Sequence, residues 1–185
     1  GYHSLVDLMR ESFDRYGERA AYSFLGKRMT FAELDRRSQQ LGAYLQSLGL
    51  VRGDRVAIML PNVLQYPVAV AAVLRAGGVV VNVNPLYTPR ELEHQLKDSG
   101  AKAIILLENF ASVFQAVRSA VPTQTVVLAA MGDLLGGLKG TVVNYVVRHV
   151  KHMVPAFELP GAVRFNEALS RGRHLPWTAP TVGPD

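Results

Sequence analysis

The sequence contains no cysteine. Disulfides, thiolate metal centres and a cysteine nucleophile are thereby excluded, and the composition fits a reducing compartment. No apolar run approaches the length of a membrane-spanning helix, and residues Gly1 to Asp14 are amphipathic and carry acids, so no signal peptide is expected. Several chemical signatures are missing as well. There is no glycine-rich loop bearing a phosphate-binding lysine, no Gly-x-Gly-x-x-Gly dinucleotide turn and no Gly-x-Ser-x-Gly nucleophile elbow. Basic residues are not interleaved with aromatics, so nucleic acid is not an expected partner. His3, His94, His149, His152 and His174 show no metal-ligand spacing. His149 and His152 come closest, and on a basic helix face they read as solvated, so no metal site is expected.

What is present is a foldable chain. A hydrophobic fraction of 49% over 185 residues suits one domain with a core. The net charge of +5 suits an anionic surface or a phosphate-bearing ligand. Apolar strand-like runs begin at 56, 79, 103 and 125, which places them 23, 24 and 22 residues apart. Each interval holds one helical pattern and two short loops, the spacing of parallel strands joined by crossover helices. The expected fold class is therefore α/β, a mainly parallel sheet flanked by helices.

The stretch Gly77 to Leu92 organises this pattern. Val79, Val80, Val81 and Val83 form a β-branched run, as expected for a strand buried on both faces. Asn84-Pro85 ends it, because proline cannot donate to a ladder and holds its predecessor extended. Thr88 as N-cap, Pro89 at the first helical position and Glu91 three residues after the cap then predict a helix running to Gly100. Such βα loops lie at the carboxyl ends of strands, where ligands bind in parallel sheets.

The remaining expectations run in chain order. Ser4 with Asp7 opens a helix that ends near Gly17, and Ala20–Leu25 with Arg28–Phe31 forms a hairpin across Gly26-Lys27. Thr30 caps a helix to Gly49 with Leu34, Leu41, Leu45 and Leu48 facing the core. Helices are expected from Val63 to Ala76 and from Asn109 to Ala120. Thr141 to Val154 reads as one amphipathic helix. Its apolar side carries Val142, Val143, Val146, Val147, Val150, Met153 and Val154, and its polar side Asn144, Arg148, Lys151 and His152. Phe165 to Arg171 reads as a short helix. Residues 175–185, with Pro176, Pro180 and Pro184, read as a linker following a domain of residues 1–174.

Several stretches occur in the same order in one family. They include Met29-Thr-Phe-Ala-Glu-Leu34, Gly53-Asp-Arg-Val-Ala-Ile-Met-Leu-Pro-Asn62, Leu74-Arg-Ala-Gly77, Val81-Asn-Val-Asn-Pro-Leu-Tyr-Thr-Pro-Arg-Glu-Leu92 and Gly140-Thr-Val-Val-Asn144. On these the chain closely resembles the amino-terminal part of bacterial long-chain fatty-acid–CoA ligases of the adenylate-forming superfamily. The resemblance implies an incomplete part of that family's N-terminal domain. It also implies a parent reaction in two halves: ATP and fatty acid give an acyl-adenylate and pyrophosphate with Mg²⁺, and the thiol of CoA then displaces AMP. The family's phosphate loop, adenine- and Mg²⁺-binding motifs and catalytic lysine lie outside these residues. No catalytic residue is assigned, and the chain alone is expected to be inactive and to hold no cofactor tightly.

One region carries over. In relatives the nucleotide end of CoA lies near the loop matching Asn84 to Thr88. The resemblance thus implies a CoA-facing group of Asn84, Pro85, Tyr87, Thr88 and Arg90. Pro85 and Tyr87 would give flat apolar surface, the helix start at Thr88 free N–H groups and Arg90 charge. The same resemblance implies a cytoplasmic enzyme, and fatty-acid substrates suggest weak contact with the inner membrane surface through Thr141 to Val154. A sheet edge left open in this stretch would favour self-association. The alternative is a non-catalytic binding or membrane-interaction module derived from such an enzyme.

Overall fold

The computed structural model describes residues 4–180. Helix α1 (Leu5–Tyr16) is capped by Ser4, whose hydroxyl accepts the Asp7 N–H at 3.1 Å. Strands β1 (Ala20–Phe24) and β2 (Lys27–Thr30) form a separate antiparallel hairpin. Its turn falls at Leu25-Gly26, both with positive φ, one residue before the Gly26-Lys27 expected. That is the geometry of a tight hairpin turn in which glycine takes one of two left-handed positions. Helix α2 (Phe31–Ser47) follows from the Thr30 cap, and Leu48 beyond its end is exposed rather than in the core.

The main sheet has five parallel strands in the order β4-β3-β5-β6-β7. These are β3 (Arg55–Met59), β4 (Val79–Asn82), β5 (Ala103–Leu107), β6 (Thr125–Ala129) and the two-residue β7 (Val163–Arg164). Side chains alternate between two cores. Val56, Ile58, Ile105 and Val127 face α2, α3 (Gln65–Arg75) and α7 (Phe165–Gly172). Ala57, Met59, Ile104 and Val126 face α4 (Pro89–Ser99) and α5 (Ala111–Val117). Because both faces are covered, β5 and β6 read as unbroken apolar runs rather than alternating ones. The expected helix over 109–120 is in fact α5 between two 3₁₀ turns, Glu108–Phe110 and Arg118–Ala120.

Two expectations need correction. The strand of the organising stretch is not buried on both faces: β4 pairs with β3 alone, and Val79 is 46% exposed at the sheet edge. A valine run signals a strand but not its place in the sheet. The helix expected over Thr141 to Val154 begins at Gly137, runs as α6 to Tyr145 and continues as a π turn over Val146–Val150. The wider winding, with Lys151 N–H bonded to the Val146 carbonyl, changes which residues face inward. Val147 is buried and Arg148 turns toward the sheet, while Val142, Val150 and Met153 face out.

Glycine explains the start of α6. A Cβ on Gly140 would lie 2.4 Å from the Gly132 carbonyl, and one on Gly132 2.3 Å from the Gly140 carbonyl. Asn144 then accepts the Gly132 N–H at 2.7 Å. Both ends of the run Gly140 to Asn144 are thus used to clamp the loop after β6. Within the proline-rich segment, Trp177 and Thr178 are fastened to the domain. Trp177 donates to the Arg75 carbonyl at 3.1 Å, and Gln46 brackets Thr178 with two hydrogen bonds. The rest of the expected linker, like His3, lies outside the described residues.

Candidate functional site

The sheet order places β3 first, β4 on one side and β5 on the other. In doubly wound sheets of this order, ligands bind outside the carboxyl ends of the strands, near the reversal. The loop 83–88 leaves the carboxyl end of β4. Its shape is set locally: the Asn84 side chain accepts the Leu86 N–H at 3.0 Å and its carbonyl the Tyr87 N–H at 3.1 Å. Asn84 is therefore a turn-former. Leu86 at the tip is 84% exposed, while Pro85 and Tyr87 are half-buried.

Tyr87, Thr88 and Arg90 come together on one cavity of about 740 Å³, closed by Glu91, His94, Gln95 and Asp98 of α4. Asn84 and Pro85 do not line it. Gln95 donates from Nε2 to the Asn82 carbonyl at 2.8 Å, and its Oε1 is buried with no partner. Asn82 in turn accepts the Tyr66 hydroxyl at 2.9 Å, which ties the loop base to α3.

The helix start differs from what was expected of it. Thr88 N–H donates to Glu91 Oε2 at 2.8 Å, the Glu91 N–H donates to Thr88 Oγ1 at 3.4 Å, and Pro89 has no N–H. The capping box is complete. It occupies two of the amides available to a phosphate, those of Thr88 and Glu91, and places a carboxylate beside them, which leaves the Arg90 N–H as the free donor of the first turn. Hydrogen bonds from the Thr88 backbone and hydroxyl hold that carboxyl below its ordinary range. Arg90, exposed on the first turn, is left as the cationic group.

A second cluster at the carboxyl ends went unread in the sequence. Glu108, directly after β5, is 1% exposed. Arg148 of the π turn grips it from Nε at 2.7 Å and from an Nη at 3.0 Å, and Arg164 of β7 at 2.5 Å. The bond to Glu108 raises the Arg148 pKa further. Asp133, after β6, accepts the Ala130 N–H at 2.7 Å and Asn144 Nδ2 at 3.3 Å, and burial pushes its pKa up. Gln65 Oε1 and Asn109 Oδ1, beyond the ends of β3 and β5, are buried without partners. The one available signal was an acid placed immediately after a wholly apolar strand. Among the described residues no three His, Asp or Glu side chains group as metal ligands.

A parallel sheet of this order flanked by helices is the fold of one part of an adenylate-forming domain. The chain belongs to the AMP-binding enzyme family, whose sequence profile matches residues 9–156. It is 51% identical over 185 residues to the long-chain-fatty-acid–CoA ligase of Escherichia coli O6:H1, covering all of this chain and 33% of that protein. The Bacillus subtilis ligase of the same description is 45% identical over 105 residues, 57% of this chain and 19% of that protein. Among solved structures, a putative long-chain-fatty-acid CoA ligase from Rhodopseudomonas palustris superposes with a TM-score of 0.73 at 21% identity. That match covers 97% of this chain and 39% of the other. The adenylation domain of a carboxylate reductase from Mycobacterium chelonae gives a TM-score of 0.73 at 19% identity, over 98% and 31% of the two chains. The chain thus spans about a third of the length of its full-coverage relatives.

Proposed function

We propose that the chain is the amino-terminal part of a long-chain fatty-acid–CoA ligase. In this reading the parent enzyme joins fatty acid to ATP, releasing pyrophosphate, and CoA thiol then displaces AMP from the acyl-adenylate. The observation that supports it is 51% identity in an alignment that covers the whole chain. This chain offers neither a lysine-bearing phosphate loop nor a group of acids for Mg²⁺ among its described residues, so no ATP or Mg²⁺ step is assigned to it. Its own share of the work is the wall beside Tyr87, Thr88 and Arg90. A half-buried ring, a guanidinium and the unpartnered Gln95 Oε1 match the aromatic, phosphate and amino groups of a nucleotide. Asn84 and Pro85 shape the loop that carries them.

The test is a chimera in which this chain replaces the matched third of the Escherichia coli ligase. Tyr87→Ala and Arg90→Gln should each raise the KM for CoA about tenfold while leaving fatty-acid-dependent exchange of pyrophosphate into ATP unchanged. Equal loss in both half-reactions, or no change in KM, overturns the assignment. The 185-residue chain alone should show no exchange above a blank.

A second reading concerns the membrane. Among the described residues no helix is long and apolar enough to cross one. Leu138, Val142, Tyr145, Val150 and Met153 are nevertheless exposed on the α6–π segment, with Lys139 and Lys151 beside them. Arg148 is engaged by Glu108, so the basic contribution falls to the two lysines. Weak, salt-sensitive cosedimentation with phosphatidylglycerol vesicles, lost in Lys139→Glu with Lys151→Glu, is the expected result. No sedimentation at low salt ends this reading.

A further inference from the structure

Helices α2 and α7 touch backbone to backbone. A Cβ on Gly172 would fall 1.8 Å from the Gln40 carbonyl, so only glycine permits this separation. On one side of the crossing lies a cavity of about 660 Å³, unrelated to the cavity at the end of β4. Three guanidinium side chains line it: Arg36 and Arg37 from α2, and Arg173 from the residue after α7. Gln40, Asn166 and Ser170 add hydrogen-bonding groups. A second cavity, lined also by Gly172 and Trp177, shares Arg36, Gln40 and Arg173 with the first.

The partners of these arginines set them apart from their neighbours. On the same pair of helices Arg171 is matched by Glu167 at 2.5 Å, and Arg75 of α3 by Asp35 of α2. Arg36 and Arg173 make no ion pair or hydrogen bond from their side chains to any described residue. Arg37 reaches Glu33 at 2.6 Å, yet its Nε is buried with no acceptor. The one carboxylate lining the cavity, Asp133, spends its oxygens on the Ala130 amide and on Asn144. Helix α6 also starts at this rim, with Gly136 as N-cap and no side-chain cap bond, so its positive end adds to the field. Positive charge is thus concentrated in a concave, rigidly spaced pocket, with too little negative charge of the chain's own to match it.

We infer that the α2/α7 pocket is a binding site for a phosphate-class oxyanion, held by Arg36 and Arg173 as forked donors with Arg37 Nε behind them. Guanidinium pairs are suited to such anions because their donors match two oxygens at once. The close contact of Gly172 with Gln40 fixes the spacing of the two helices that carry these arginines. The site does not depend on the ligase reading, because no part of it borrows the loop 83–88.

The experiment is calorimetric titration of the 185-residue chain with inorganic pyrophosphate at low and at physiological salt, repeated with ADP. Saturable binding that weakens with salt is expected. ADP binding more tightly than pyrophosphate assigns the phosphate to a nucleotide-like ligand, and the reverse order assigns it to the free ion. Arg36→Gln with Arg173→Gln should weaken either ligand tenfold or more, on the order of the loss of one charge-assisted hydrogen bond, with thermal stability retained because both side chains are exposed. Arg171→Gln, on the same helix but matched by its own acid, should leave affinity unchanged. No saturable binding at millimolar pyrophosphate overturns the proposal. So does equal affinity in the double variant, or equal loss in Arg171→Gln.

Discussion

Helices α4 and α6 each begin just beyond a parallel strand, and they are held in opposite ways. α4 carries its own instructions: a Thr88–Glu91 capping box, Pro89 in the first turn, a Glu93–Lys97 pair and Gly100 in the left-handed conformation at the end. Its buried residues, Leu92 and Leu96, are a single turn apart. α6 has no side-chain cap, and its winding changes to a π turn after Tyr145. It is held from a distance, by the Gly132–Gly140 contact, the Asn144 bonds and the grip of Arg148 on Glu108. Local signals make a helix that can be read one residue at a time. A helix held by remote partners takes its phase from them.

The largest expected effect breaks the remote attachment. Glu108→Ala leaves Arg148 and Arg164 facing a carboxylate-sized gap and should cost about 3 kcal/mol in denaturant unfolding. That is the low end for a broken buried pair, because the arginines keep 36% and 47% exposure. The same change should open the π turn to hydrogen exchange while leaving α4 protected.

Breaking the local attachment should cost less. Thr88→Ala removes the cap of α4 and should cost about 1 kcal/mol, read from the same unfolding curves. Its exchange pattern should be the converse, with fraying confined to the first turn of α4. If both variants loosened both helices alike, the contrast between the two would be lost.

The smallest effect sharpens the comparison through pH. Burial raises the Asp133 pKa above its ordinary 3.8, so the folded state binds this proton more tightly than the unfolded one. The resulting stabilisation is complete below the unfolded value and is lost as pH rises through the higher folded value. Asp133→Asn should therefore gain stability relative to the parent as pH rises from 4 to 7. Melting temperatures measured across that range check it, and a flat difference would contradict it.

The apolar runs at 103–107 and 125–129 correspond to β5 and β6 residue for residue, because strands covered on both faces need little but consecutive apolar side chains. The α4 cap and its glycine stop were equally legible, since every bond in them spans only a few residues. The loop after β4 was legible as a turn, and three of its five marked residues do share a cavity. Of the amides expected to be free at the start of α4, the capping box fills those of Thr88 and Glu91 and leaves that of Arg90. The sequence pattern contained that box, and its effect on an incoming phosphate follows from the same hydrogen bonds.

Other features were settled only by packing across the chain. β4 lies at an edge because the chain reverses across β3, a matter of topology that valines cannot encode. β7 is two residues long and exists only because β6 offers it a partner. Arg148 points inward because Glu108, forty residues earlier, is buried without another cation but Arg164. Trp177 is fastened to α3 by a bond spanning 102 residues. By itself the amino-acid order determined β3 to β6, the capped helices and the parallel class, because those depend on backbone geometry and burial within one stretch. Tertiary structure decided which strand is the edge, which arginines are matched and which are left facing a cavity, because a charge or an exposed backbone finds its partner in space.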